Sequence, residues 1–154
     1  LSRVSAHPVA HLSRRYHFSA AHRLHVDALS AEENRAAFGK CNNPFGHGHN
    51  YVVEVTVSGP VDPVTGMVVN LRDLDLFAQR EMLDLFDHAN LNTLEAFRDQ
   101  VTTTENVCVE MWRIFSGLVE SNDHPQLKLE RIHIEETGNN SFDYFGEGAR
   151  FYSR

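Results

Sequence analysis

Cysteine is scarce in this chain: Cys41 and Cys108 are the two in 154 residues. That excludes a scaffold built on disulfides, and it needs none, because at this length folding buries about two-thirds of the unfolded surface in one core. Positive charge is short as well, with 14 Lys and Arg against 21 Asp and Glu, and the cations form no stripe. Nucleic acid and anionic membrane are therefore poor partners. No apolar run has the length of a membrane span, and no secretory-type stretch precedes the first strand-like segment. Internal repeats and low-complexity tracts are absent too. The expectation is a single domain over 14–154 in a reducing, cytoplasmic setting. Residues 1–13 lack periodicity and carry His7 and His11, which predicts a flexible tail.

Histidine, by contrast, is plentiful, and the segment Cys41-Asn42-Asn43-Pro44-Phe45-Gly46-His47-Gly48-His49-Asn50-Tyr51 sets two imidazoles and a thiol within one loop-to-strand unit. Residues i and i+2 of a strand share a face, so His47 and His49 can close on one ion. The alternation continues in Tyr51, Val53, Val55 and Val57, which puts the pair at the mouth of a buried face. A second strand pattern over 14–24 places Tyr16, Phe18, Ala20 and His22 on one face, making His22 the natural third ligand. Three neutral imidazoles suit zinc and leave one position open, the mark of a catalytic rather than a closed structural site. A closed site of Cys41 plus three histidines is the rival arrangement. Cys108 is different in kind: with Met111, Trp112, Phe115, Leu118 and Val119 it follows the spacing of an amphipathic helix face and belongs to the core.

The remaining chain reads as alternating punctuation and periodic runs. Ser30 with Glu33 has the form of a capping box before a short helix ending on Gly39. Gly59-Pro60 and 63–66 mark turns, and 67–70 reads as an extended segment. Asn70 is placed to cap a helix with the stripe Leu71, Leu74, Phe77, Ala78, Met82 and Leu85, stopping near Phe86. A capping box of Thr102 and Glu105 opens a second helix that ends at 121–125. Strand-like runs over 127–136 and 142–145 close the chain. The expected class is α+β: a four-stranded antiparallel sheet with two antiparallel helices on one face, in the order ββααββ. Such a sheet leaves two open edges and invites edge-to-edge assembly.

Further side chains carry chemistry. Ile132, Ile134 and Glu136 share a strand face, so a carboxylate ends an apolar row, either emerging into solvent or accepting the adjacent N–H groups of a heterocycle. Asp87-His88 is either a helix terminator or a proton relay. An anionic substrate needs a local positive cluster, and Arg14, Arg15, Arg23 and Lys40 are the cations nearest the histidines in sequence.

Taken in order, Phe18-Ser19-Ala20-Ala21-His22-Arg23-Leu24, Gly39-Lys40-Cys41-Asn42-Asn43-Pro44, Gly46-His47-Gly48-His49-Asn50-Tyr51, Asp87-His88-Ala89-Asn90-Leu91, Thr103-Thr104-Glu105-Asn106 and Glu136-Thr137 strongly resemble the 6-pyruvoyl-tetrahydropterin synthase family, over about residues 14 to 145. The resemblance implies the tunnelling fold, assembled as a homohexamer of two stacked trimers with active sites at subunit interfaces. It implies conversion of 7,8-dihydroneopterin triphosphate to 6-pyruvoyl-tetrahydropterin with loss of triphosphate, in tetrahydrobiopterin biosynthesis. Zinc would be held by His22, His47 and His49, with Cys41 as general base and Asp87 and His88 as its relay. Glu136 would anchor the pterin ring. Thr104 and Glu105 would line the pocket, although helix capping explains them equally well, and a magnesium ion with the triphosphate is compatible with the scheme. Related activities on the same fold are 6-carboxy-tetrahydropterin and side-chain-cleaving enzymes, and a zinc-stabilised pterin-binding protein is the non-catalytic alternative. The five residues between Cys41 and His47 and the 16 between Leu24 and Cys41 favour the pyruvoyl type.

Overall fold

The alternation over 51–57 has its expected result in the computed structural model, which describes residues 7–121 and 123–148. Strand β2 (His47–Pro60) buries Tyr51, Val53, Val55 and Val57 completely. It runs antiparallel to β1 (Val9–His22) on one side and to β4 (Lys128–Thr137) on the other. β5 (Asn140–Tyr144) folds back on β4. On the far side of β1, the two-residue strand β3 (Ala89–Asn90) pairs parallel with Ala20 and Ala21. The sheet is therefore five-stranded and mixed, in the order β3-β1-β2-β4-β5, rather than four-stranded and antiparallel. β3 escapes sequence reading because two residues carry no alternation. It is made by tertiary anchoring: His88 N donates to Ser19 O at 2.6 Å, and the Asn92 amide clasps both Arg23 N and Arg23 O at 2.7 and 2.8 Å.

A second difference lies at the start of the chain. β1 begins at Val9, not near residue 14, because residues 9–13 pair with 56–60 and the Ser13 and Thr56 hydroxyls bond across the strands at 2.7 Å. These pairs sit at the exposed end of the sheet, which blurs their apolar period. Residues 1–6 of the expected tail lie outside the described residues.

Helix α1 (Ala31–Phe38) has the expected capping box, Ser30 with Glu33, and stops at Gly39 in a positive-φ conformation. Asn34 is fully buried on its inner side, accepting from Val26 N and donating to the carbonyls of Val26, Leu29 and Ser30. It ties the loop after β1 to α1, so Asn34→Ala, which strands those groups, should cost about 2–3 kcal/mol in urea unfolding. A loss under about 0.5 kcal/mol, the level of an ordinary surface change, contradicts this role.

Helix α2 (Leu71–Ala78), capped by Asn70, passes through a π-turn (Gln79–Leu83) into the single turn α3 (Asp84–Phe86). Leu74, Ala78, Met82 and Phe86 are buried at a spacing of four. In an unbroken α-helix that spacing drifts about 40° per step, and the wider π-turn takes up the drift. Leu85, expected on the stripe, is instead exposed and Phe86 takes its place. Residues 67–70 join no strand; Asp62 N bonds Met67 O and Val69 enters the core. Helix α4 (Thr104–Val119) is capped by Thr103, not Thr102, and buries Val107, Cys108, Met111, Ile114, Phe115 and Leu118. Helices α2, α3 and α4 cover one sheet face, since the buried apolar residues of β1, β2 and β4 each keep one parity and join theirs in one core.

Asp75 pins α2 to β1. Arg14 donates to both its oxygens at 3.0 and 2.8 Å and the Tyr16 hydroxyl to Oδ1 at 2.9 Å. The Arg14 guanidinium, and then Tyr16, hold this carboxyl below the usual range. A depressed folded pKa means that ionised Asp75 contributes stability above its unfolded value of about 3.9, which is lost as pH falls through the folded pKa. Asp75→Asn should therefore flatten the acid limb of urea midpoint against pH, leaving the slope above pH 5 unchanged. An unaltered acid limb contradicts the linkage.

Candidate metal and substrate site

The β1–β2 register sets His22 opposite His47 and Ala20 opposite His49, so all three imidazoles leave the sheet on its core face, at one end. Gly46 makes the turn into β2 possible. Its φ is 71°, and a Cβ there would meet the His22 carbonyl oxygen at 3.0 Å. The ligand-capable atoms of the three rings lie within 4.8 Å of one another, and His22 Nε2 is 3.0 Å from His47 Nε2. Ring planes are steeply inclined, at 67°, 85° and 87° for the three pairs, so the rings face a common centre rather than stacking.

Protonation follows from the surroundings. A carbonyl only accepts, so His22 Nδ1, 2.7 Å from Thr102 O, carries the hydrogen and leaves a lone pair on Nε2. Burial lowers the pKa of His22 and of His49, which keeps both in the neutral form that ligates. His49 Nε2 is buried without a hydrogen-bond partner. An orphaned nitrogen pointing at two others costs free energy unless a cation satisfies it. The three residues can thus hold a metal ion, and an all-imidazole set suits zinc.

Glu136, at the end of β4, adjoins the cluster: Oε1 lies 3.7 Å from His49 Nε2 and 3.9 Å from His22 Nε2. The Thr104 hydroxyl donates to Oε1 at 2.5 Å and Asn140 Nδ2 to Oε2 at 2.6 Å. Its other neighbour is the Tyr51 phenol, whose pKa is pushed up by burial and then by Glu136, so it stays protonated.

Cys41 sits in the 3-10 turn Gly39–Asn42, half-buried, with a free thiol and its carbonyl accepting from Leu24 N at 2.9 Å. It stands outside the cluster of potential ligands, which counts against the closed Cys-plus-three-His arrangement. Asp87 and His88 occupy the corner before β3. His88 adopts φ 59°, a region that histidine enters more readily than most residues. Asp87 Oδ1 accepts from Ser19 N at 2.9 Å and lies 3.0 Å from His88 Nδ1; the bond from Ser19 chiefly holds its carboxyl below the usual range. His88 is largely exposed and shares a shallow hollow of about 330 Å³ with His49.

The model of the family described as 6-pyruvoyl tetrahydropterin synthase matches residues 11–147. The chain belongs to this family. Among similar synthase sequences, the human 6-pyruvoyl tetrahydrobiopterin synthase is 48% identical over 139 residues, covering 90% of this chain and 92% of the human protein. The Drosophila melanogaster 6-pyruvoyl tetrahydrobiopterin synthase is 45% identical over 148 residues, 93% of this chain and 83% of the fly protein. The solved structure of Caenorhabditis elegans 6-pyruvoyl tetrahydropterin synthase superposes with a TM-score of 0.84 at 42% identity, covering 92% of this chain and 99% of that one.

Of the residues that the synthase resemblance singles out, the fold brings together His22, His47, His49, Glu136 and Thr104. Among the described residues, no hydrogen bond or ion pair joins Cys41 to Asp87 or His88. Glu105 is exposed on the first turn of α4. Three contributors are not singled out for the site in the sequence: Thr102 through its carbonyl, Asn140 through its hold on Glu136, and Tyr51 beneath the imidazoles. Tyr51 shares the parity of His47 and His49, a signal that could have found it. A backbone carbonyl has none.

Proposed function

We propose that this protein converts 7,8-dihydroneopterin triphosphate to 6-pyruvoyl-tetrahydropterin with release of triphosphate, as the names of its human and fly relatives suggest for tetrahydrobiopterin biosynthesis. The observation that carries this is the cluster of His22, His47 and His49 beside the Glu136 carboxylate. His22, His47 and His49 would hold zinc, which as a Lewis acid would acidify C–H bonds next to the side-chain hydroxyls. Glu136, fixed by Thr104 and Asn140, accepts the adjacent N–H donors of the pterin ring and orients it. Cys41 removes a side-chain carbon proton as general base, and Asp87 with His88 carries that proton onward. Oxidation of the C1′ carbinol to a carbonyl supplies the two hydrogens taken up at C6 and N5 of the ring. Loss of a proton from C2′ and of triphosphate from C3′ then gives an enol that becomes the methyl ketone. Ring reduction balances side-chain oxidation, so no external reductant enters.

Thr104 touches substrate through the Glu136 it holds, and Glu105 lines the outer pocket. The working form is a homohexamer of two trimers, with active sites between subunits. Two features support this: among the described residues, Cys41 shares no hydrogen bond with the Asp87–His88 pair, and β1 pairs on its β3 side only at Ala20 and Ala21, leaving most of that edge open. One domain, a magnesium ion on the triphosphate and a cytoplasmic location complete the proposal. No helix among the described residues is long and apolar enough to cross a membrane, and both cysteines are free thiols.

The test is turnover of 7,8-dihydroneopterin triphosphate by the zinc-loaded protein, with products identified by mass spectrometry. Equimolar 6-pyruvoyl-tetrahydropterin and triphosphate are expected. A 6-carboxy or side-chain-cleaved pterin, or recovery of unchanged substrate, overturns the proposal.

A further inference from the structure

The chain carries a net charge of −7, yet one hollow beside the histidine cluster is lined only by cations and neutral groups. It measures about 460 Å³ and lies between the end of β1, helix α1 and the 3-10 turn that carries Cys41; its ionisable residues are Arg23, His25, Arg35 and Lys40. Among the described residues, no carboxylate lines it.

Arg23, Arg35 and Lys40 among them are also unspent. Arg14 and Arg15, which share strand β1 with His22, are turned to Asp75 and to Glu54 and Glu135. Among the described residues, Arg80, Arg98, Arg113 and Arg131 likewise have carboxylate partners. Of the described Lys and Arg, only Arg23, Arg35, Lys40, Arg72 and Lys128 lack one, and three of those five converge on this hollow. Like charges gathered with nothing between them repel, so the arrangement costs stability unless an anion occupies it.

Arg23 is preorganised for such an anion. Asn92 clasps its backbone, and its Nε donates to Asn42 O at 3.0 Å, which leaves the terminal N–H groups of the fork free. Asn42 Nδ2 in turn donates to His25 Nδ1 at 3.0 Å, which directs Nε2 outward as the protonated nitrogen. Arg23, His25 and Pro44 also line the adjoining hollow of about 350 Å³, which reaches His22. Its one carboxylate, the fully exposed Asp27, lies 3.3 Å from His25 Nε2. A continuous basic path thus leads away from the metal-binding cluster, past Arg23, to Arg35 and Lys40.

We propose that this hollow seats the polyphosphate tail of the substrate, with Arg23, Arg35, Lys40 and His25 binding its oxygens and holding the leaving triphosphate in place. The inference rests on the proposed activity for the identity of the substrate, but its test does not need turnover. Arg35 and Lys40 are exposed, so Arg35→Gln combined with Lys40→Gln should leave fold and zinc content intact. Calorimetric binding of inorganic tripolyphosphate to the zinc-loaded wild-type protein, the double variant and a charge-matched control, Arg72→Gln with Lys128→Gln, separates a local subsite from general charge.

The double variant should bind tripolyphosphate at least about tenfold more weakly, and the control within about twofold of wild type. Wild-type affinity should fall with added salt, because the site is open to solvent. In turnover, the KM for 7,8-dihydroneopterin triphosphate should rise by about tenfold with little change in kcat, while inhibition by unphosphorylated 7,8-dihydroneopterin stays the same. Equal tripolyphosphate binding by wild type and double variant overturns the subsite, whatever the activity. Weakened binding by the double variant in a protein that does not turn over the pterin overturns the proposed activity and keeps the anion site.

Discussion

Cys41→Ala should lose roughly two to four decades of turnover, the span of a missing general base, while retaining zinc and fold. The physical ground is the separation of roles at the site. Three imidazoles are enough to hold an ion with one position open, and the thiol stands outside their cluster, in a turn secured by its backbone rather than by its sulfur. Removing the sulfur therefore leaves both the metal cradle and the turn intact. Zinc content measured beside turnover reads the two roles separately. A variant that loses zinc together with activity makes Cys41 a ligand; one that keeps its rate makes it a bystander.

His22→Ala should have the opposite signature, with zinc and activity lost together. His22 is almost wholly buried and is the one imidazole oriented from behind, by Thr102 O. Its loss leaves two ligands and a vacated space under His47 and His49. An ion bound only to the folded state at a thousand times its dissociation constant stabilises that state by about 4 kcal/mol. A chelator should thus lower the unfolding free energy of the zinc-loaded wild type by about that amount and leave His22→Ala unmoved. A chelator-sensitive His22→Ala protein would mean that the metal binds elsewhere.

The parts of this molecule that were legible in the sequence are those governed by short periods. Tyr51, Val53, Val55 and Val57 alternate, and the same parity carries His47 and His49 onto the core face. Across the strand pair, Tyr16, Phe18 and Ala20 lead to His22 by the same rule, and register alone brings the three rings together. Ser30 with Glu33, and Asn70, announced helix starts because a cap is a local bargain between a side chain and a nearby N–H.

What stayed hidden depends on contacts distant in sequence. β3 exists because Ser19 and Arg23 are met by Asp87, His88 and Asn92, some 68 or 69 residues away. The π-turn exists because Met82 and Phe86 must stay on the face begun by Leu74 and Ala78, and a helical stripe drawn at constant pitch put Leu85 inside instead. Thr102 and Thr103 are adjacent hydroxyls, and the cap went to Thr103 because Thr102 Oγ1 is engaged by Arg23 O while its own carbonyl holds His22. The basic hollow was half visible: Arg23 and Lys40 flank the motifs, but only the placement of α1 adds Arg35, and only Asp75 and Glu54 remove Arg14 and Arg15.

The central claim is that three imidazoles share an ion and the neighbouring sulfur does not bind it. Replacing the ion with cobalt and recording the absorption spectrum tests it most directly. The expected spectrum shows the ligand-field bands of a nitrogen- and oxygen-ligated four- or five-coordinate ion, with no thiolate-to-cobalt charge-transfer band in the near ultraviolet, and is unchanged by Cys41→Ala. A charge-transfer band that disappears in Cys41→Ala contradicts it.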